Sequence, residues 1–247
     1  MTDAMTDAMT DAMTDVRSDG PAYVLILVWT EMRERSAMSL NEAVRVAVVY
    51  YSSTGTVFEL AKAAATAAEK AGAEVRLRKV RELAPAEAIA SNQGWSDHAA
   101  ATQHIVEASL DDLVWADAIM FGTPTRYGLP AAQLKQFIDT AGSLWAQGKL
   151  IDKIGSSFTS SGTRHGGQET TIVALNNTFY HWGSIIVPPG YADPIQFQMG
   201  NPYGTSHTSN NAEVPPGEIE LAAMEFQTRR VVETAATFKR GREARFV

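Results

Sequence analysis

The 247-residue chain contains no cysteine. Disulfides, thiolate metal sites, iron–sulfur clusters and cysteine nucleophiles are excluded together. A reducing compartment is compatible with that usage, and a cytoplasmic location is the expectation. Long apolar runs are also missing. The run from Tyr23 to Trp29 has seven residues, against about 20 for a spanning helix. Asp3, Asp7, Asp11 and Asp15 precede it, where a signal peptide would carry basic residues. No membrane role is expected.

Basic charge is scarce as well. The net charge is −7. Residues 1–43 carry eight acidic and three basic side chains, which leaves only −2 for the rest of the chain. No basic stripe marks a nucleic-acid surface, and no strong single-sign field would steer an acidic partner. The five histidines (His98, His104, His165, His181, His207) lack metal-ligand spacing. GxSxG and HExxH are absent, so neither a nucleophile elbow nor a zincin helix is present. The chemistry therefore points to a bound cofactor rather than to a side-chain constellation.

What is present falls into two parts. The start repeats a tetrapeptide, "MTDAMTDAMTDAMTDV", with little to bury. Residues 1–43 are expected to be a largely disordered extension, with Met38 a plausible alternative start. From Val44 a strand–helix rhythm runs to Arg240, followed by a short tail over 241–247. "VRVAVVYY" is a continuous apolar strand, as a doubly covered parallel sheet requires. Helices are expected over Val57–Ala71, Ala131–Thr140, Gln168–Tyr180 and Glu218–Arg240. Further strands are expected at "AEVRLRKV", "ADAIMFGTP", "IGSSFTSSGT" and "GSIIVPPG". "SNQGWSDHAA" and residues 191–216 read as loop. The alternation implies an α/β, doubly wound, five-stranded parallel sheet with helices on both faces. Its flavodoxin-like order places ligands beyond the carboxyl ends of the strands.

Three strands end in clusters of Gly, Ser and Thr: "YSSTGT", "FGTPTRYG" and "FTSSGTRHGGQE". On one sheet edge they would line a crevice with hydroxyls and backbone N–H groups. Ser52, Ser53, Thr54, Gly55 and Thr56 stand between a strand and a helix start, where amides and the helix dipole favour a phosphate. GxxxxGK[ST] and GxGxxG are both absent, which disfavours a triphosphate or dinucleotide cradle and leaves a monophosphate held by neutral donors. Ordinary N-capping by Ser or Thr accounts for the same residues. In "FGTPTRYGLP", Tyr127 could contact a flat heterocycle and Arg126 supplies a cation; a surface turn reads equally well. Trp145 could wall a planar pocket or pack. Arg164 and His165 read as solvent-facing loop residues before they read as catalysts. His181 and Trp182 close a helix, where the dipole alone favours a histidine.

"YYSSTG", "FGTPTRYG", "SSGTRHGGQE", "HWG" and "VPPGY" occur in the order seen in the WrbA family of flavodoxin-like NAD(P)H:quinone oxidoreductases, which the chain resembles from about Val44 to Arg240. The resemblance implies an FMN enzyme that forms homotetramers. NADH or NADPH would deliver hydride to flavin N5, and a quinone would then accept two electrons in the same pocket, a ping-pong cycle that guards against oxidative stress. Ser52 to Val57 matches the phosphate loop. Pro124, Thr125, Arg126 and Tyr127 match isoalloxazine contacts. Ser160, Ser161, Gly162, Thr163, Arg164, His165 and Gly166 match the second flavin loop. His181 matches a flavin-proximal position, either itself, through Trp182, or from a neighbouring subunit. Trp145 matches the quinone-side aromatic. Thr54 stands where relatives often carry an aromatic beside the nicotinamide and substrate. The rival readings are an electron-carrier flavodoxin, which is typically far more acidic than this body, and an azoreductase or flavin-reductase variant.

Overall fold

A computed structural model of the chain describes residues 43–244. The tetrapeptide repeat, the Met38 start and residues 245–247 lie outside the described residues. β1 (Arg45–Tyr50) opens the sheet and α1 (Thr56–Lys70) follows it. β2 (Glu74–Lys79) comes next, then α2 (Ala86–Ala90), α3 (Gln93–Ala101) and α4 (Leu110–Trp115). β3 (Ala118–Arg126) turns through β4 (Leu129–Pro130) into α5 (Ala132–Asp139) and α6 (Gly142–Ala146). β5 (Ile154–Ser161), α7 (Gln168–Trp182) and β6 (Ile185–Ile186) follow. α8 (Pro194–Met199), β7 (Ser206–Thr208) and α9 (Glu218–Glu243) complete the order. α9 passes the expected end at Arg240 by a turn.

The sheet runs β2-β1-β3-β5-β6, all parallel, the doubly wound order that the rhythm implies. β1 shows why its sequence is apolar throughout from Val46. Val46, Val48 and Tyr50 face one core with Leu60, Ala64, Met224 and Val231. Ala47, Val49 and Tyr51 face the other with Phe121, Leu134, Phe179 and Trp182. Both faces are covered, so no position alternates to polar.

Two expectations are corrected. "SNQGWSDHAA" is not a loop: most of it is α3, whose N-cap Asn92 accepts from the Trp95 amide at 3.0 Å. Residues 191–216 are not a plain loop either; they contain α8 and β7. Thr159 pairs with Thr123 of β3 and with Ser206 of β7, so β7 lies on the edge of β5 away from β3. β6 occupies that same edge lower down. The fifth strand is thus interrupted, with residues 187–205 looping out between its two pieces. Gln227 of α9, fully buried, closes the gap: Oε1 accepts from the Thr205 amide at 2.7 Å, and Nε2 donates to Ser156 Oγ and the Ser157 carbonyl, both at 2.9 Å. A buried amide with every such bond made is stabilising; unpaired it would cost a few kcal/mol.

Candidate functional site

The carboxyl ends of β1, β3 and β5 meet at one crevice of about 220 Å³. Its first wall is the loop into α1. Gly55 takes φ 96°, a left-handed turn that glycine adopts without penalty. Its amide donates to Ser52 Oγ at 3.1 Å, which folds the loop back on itself. The first intrahelical bond is Glu59 N to Gly55 O. The amides of Thr56, Val57 and Phe58 therefore precede the ladder and have no helical acceptor. Ser52, Ser53, Thr54, Thr56 and Val57 line the crevice. Behind Gly55 stands the His98 ring, whose Nδ1 would lie 3.4 Å from an added Cβ. Burial, then the Lys79 charge, lower the His98 pKa against the opposing pull of Glu59. The loop therefore gains no charge from below at neutral pH.

The second wall is the end of β3. Pro124, Thr125 and Arg126 line the crevice. The loop into α1 contains no cation of its own, but Arg126 brings one to it: Nη2 lies 3.4 Å from Ser53 Oγ. Thr125 Oγ1 ties this wall to the third strand end, accepting from Gly128 N at 3.1 Å and from Thr171 Oγ1 at 2.8 Å. Tyr127 follows with φ 56° and its ring wholly exposed.

The third side is β5. Ser160, Ser161 and Gly162 line the crevice. Ser161 Oγ accepts from Gln168 Nε2 at 2.7 Å, which anchors the start of α7 under the loop. Thr163, Arg164 and His165 are exposed, and Gly166 is half-buried behind them. None of these four lines the crevice. Sequence reasoning missed a fourth contributor: Ser209, Asn211 and Ala212 close the crevice beyond Gly162. Asn211 Oδ1 would stand 2.8 Å from a Cβ at Gly162, so a larger residue there would push the Asn211 side chain aside. The run "SNN" at 209–211 was the available signal, since Asn tolerates left-handed backbone.

The sequence comparisons match this geometry. A family model described as NADPH-dependent FMN reductase matches residues 44–197. A Deinococcus radiodurans protein named NAD(P)H dehydrogenase (quinone) is 47% identical over 198 residues, spanning 80% of this chain and 98% of that protein. The chain belongs to the NAD(P)H dehydrogenase (quinone) family. A Rhizobium meliloti member, NAD(P)H dehydrogenase (quinone) 3, is 42% identical over 206 residues, spanning 80% of this chain and 95% of its own. Among solved structures, a flavodoxin, WrbA-like protein from Agrobacterium tumefaciens superposes with TM-score 0.55 at 24% identity, covering 79% of this chain and 99% of that one. That likeness shows a flavodoxin-like fold.

The family's FMN fits the crevice on chemical grounds. Helix-start amides and hydroxyls suit a phosphate, and Arg126 adds one nearby charge. Among the described residues no cluster of His, Asp and Glu is placed to hold a metal. No helix among them is long and apolar enough to cross a membrane.

Two residues that the family resemblance assigns to the site lie elsewhere in this protomer. Trp145 Nε1 donates to the His181 carbonyl at 2.9 Å. His181 is near the end of α7, whose 15 residues put it roughly 20 Å from the crevice end of that helix. Gly183 then accepts from Asp152, just ahead of the start of β5. The pair therefore sits at the opposite sheet edge and does not line its own crevice. Trp182 is settled differently: its ring packs 6.0 Å from both Phe121 and Phe179, in the core. His181, not Trp182, is the exposed member.

Proposed function

We propose that the chain is an FMN-dependent NAD(P)H:quinone oxidoreductase working through a single crevice by a ping-pong cycle. The observation that carries this reading is the four-sided, mainly neutral cradle at the strand ends, with one nearby arginine and no built catalytic side chain. Bound there, FMN supplies hydride acceptance from NADH or NADPH and two-electron delivery to a quinone. The protein's part is to hold and orient. The Ser52 to Val57 loop presents amides and hydroxyls to the phosphate. Pro124 to Arg126 and Ser160 to Gly162 offer backbone to the ring system, with Tyr127 and Thr163 to Gly166 beyond the crevice's rim. Thr54, small and half-buried at the rim, leaves room for the flat substrates that take turns over it.

The exposed Tyr127, Trp145, Val173 and Tyr180 fit a homotetramer in which one copy's Trp145 and His181 complete another copy's crevice. This would reconcile the family assignment of both residues with their distance from their own crevice. A cytoplasmic location and a role against oxidative stress accord with the cysteine-free chain and the two-electron chemistry.

The test is NADH and NADPH oxidation by FMN-loaded protein with and without 1,4-benzoquinone. Rapid oxidation only with quinone supports the reading. A protein that takes up no FMN, or oxidises neither nucleotide when quinone is present, contradicts it.

A further inference from the structure

His207 lies just ahead of the Ser209–Ala212 wall, on β7, and is only 3% exposed. Both its ring nitrogens face oxygen atoms that act as acceptors. Nε2 is 2.8 Å from the Val214 carbonyl, at the far end of the wall loop. Nδ1 is 3.0 Å from Glu220 Oε1, on the first turn of α9. A carbonyl can only accept, so the Nε2 contact is an N–H donation. Glu220 holds the other side of the ring. Burial pushes the Glu220 carboxyl up, but bonds from His207, its own amide and the Gly217 amide outweigh that and hold it low.

The wall needs such a pin. Asn210, Asn211 and Ala212 are three successive residues with φ between 45° and 74°. Asparagine bears this at little penalty, but for Ala212 it is a strained conformation. The loop is held at its near end by Ser209, whose amide and hydroxyl both reach the Ser161 carbonyl, at 2.8 and 3.1 Å. Its far end, Val214, is held by the Ser209 carbonyl at 3.0 Å and by His207. Glu220 has a second hold: its Oε2 accepts from the Gly217 amide at 3.1 Å.

We propose that the His207–Glu220 pair is a positioning clamp for the cofactor site. It fixes the strained Ser209–Val214 loop against β5 so that Ser209, Asn211 and Ala212 can form the crevice's fourth side. The proposal rests on the FMN reading above. Removing the imidazole, or weakening its contact to Glu220, frees the Val214 end of the wall, and FMN should then leave faster.

The experiment follows FMN release from the holoprotein by recovery of flavin fluorescence at about pH 7.5. His207→Phe keeps the buried volume and removes both bonds; release should be about tenfold faster. Glu220→Gln keeps the shape and a hydrogen-bonding partner for the ring, so release should rise only about threefold, partway to His207→Phe. Equal release from wild type and both variants overturns the clamp. So does a Glu220→Gln rate equal to that of wild type when His207→Phe does not fold. Failure of the wild type to retain FMN at all would instead contradict the cofactor reading.

Discussion

Trp145 Nε1 and the His181 carbonyl are joined at 2.9 Å, at the sheet edge opposite the crevice. The family resemblance assigns both residues to the site, yet the fold separates them from their own crevice by the length of α7. The proposed homotetramer would bring them to another copy's crevice. Trp145→Ala should then raise the quinone KM about tenfold, the worth of one aromatic contact. FMN affinity should change less than about twofold. Turnover per FMN should also fall on dilution, in step with molecular mass by light scattering. An unchanged KM would place the quinone elsewhere.

The loop into α1 depends on one left-handed residue. Gly55→Ala introduces a Cβ that meets His98 Nδ1 only at ordinary contact distance, 3.4 Å, so the cost is conformational rather than steric. It should be about 1 kcal/mol at φ 96°. FMN affinity should drop roughly fivefold as the Thr56 to Phe58 amides tilt, readable by flavin fluorescence quenching. Thermal unfolding of the FMN-free protein should report the conformational part alone.

A glycine elsewhere is required by packing alone. A Cβ on Gly155 would lie 2.6 to 2.8 Å from three atoms of the Phe179 ring. Gly155→Ala should destabilise by about 1–3 kcal/mol. Combining it with Phe179→Leu should cost less than the sum of the two single changes, because the smaller side chain vacates the overlap. Urea unfolding of the four proteins measures that coupling. FMN affinity should be unchanged, since Gly155 sits at the start of β5, away from the crevice.

Acid stability should hang on Asp112, which is 2% exposed. Burial raises its carboxyl, but the Ser109 amide and hydroxyl, with Arg78 and Arg76, together outweigh it and lower the value below 3.8. The folded value is depressed, so the stabilisation is fully present above pH 3.8 and is lost as pH falls through the lowered value. Asp112→Asn should cost about 2–3 kcal/mol at pH 7 and flatten the acid limb of stability between about pH 5 and 2. Denaturant midpoints across that range check both.

Much of the architecture was legible because periodicity is local. The apolar run at 46–51 declared a doubly covered strand, and Leu60, Ala61, Ala64 and Ala68 declared one face of α1. The polar segment at 91–100 misled, since its helix draws on Asn92 as cap and on Trp95 reaching Glu82 at 3.2 Å. β7 was hidden for a different reason. Three residues cannot show a period, and this strand exists because it completes the edge of β5. The site was legible where Gly and Ser cluster after strands. The Ser209–Ala212 wall was not, because its place depends on how an interrupted strand returns to the sheet. Nor could spacing reveal that Arg126 would reach Ser53 across two strand ends.

The central claim is that two substrates use one crevice in turn. Initial rates of FMN-loaded protein, measured with NADH or NADPH varied at several fixed quinone concentrations, test it most directly. Parallel double-reciprocal lines are expected. Lines converging to the left of the ordinate would require both substrates to be bound together and would contradict the account.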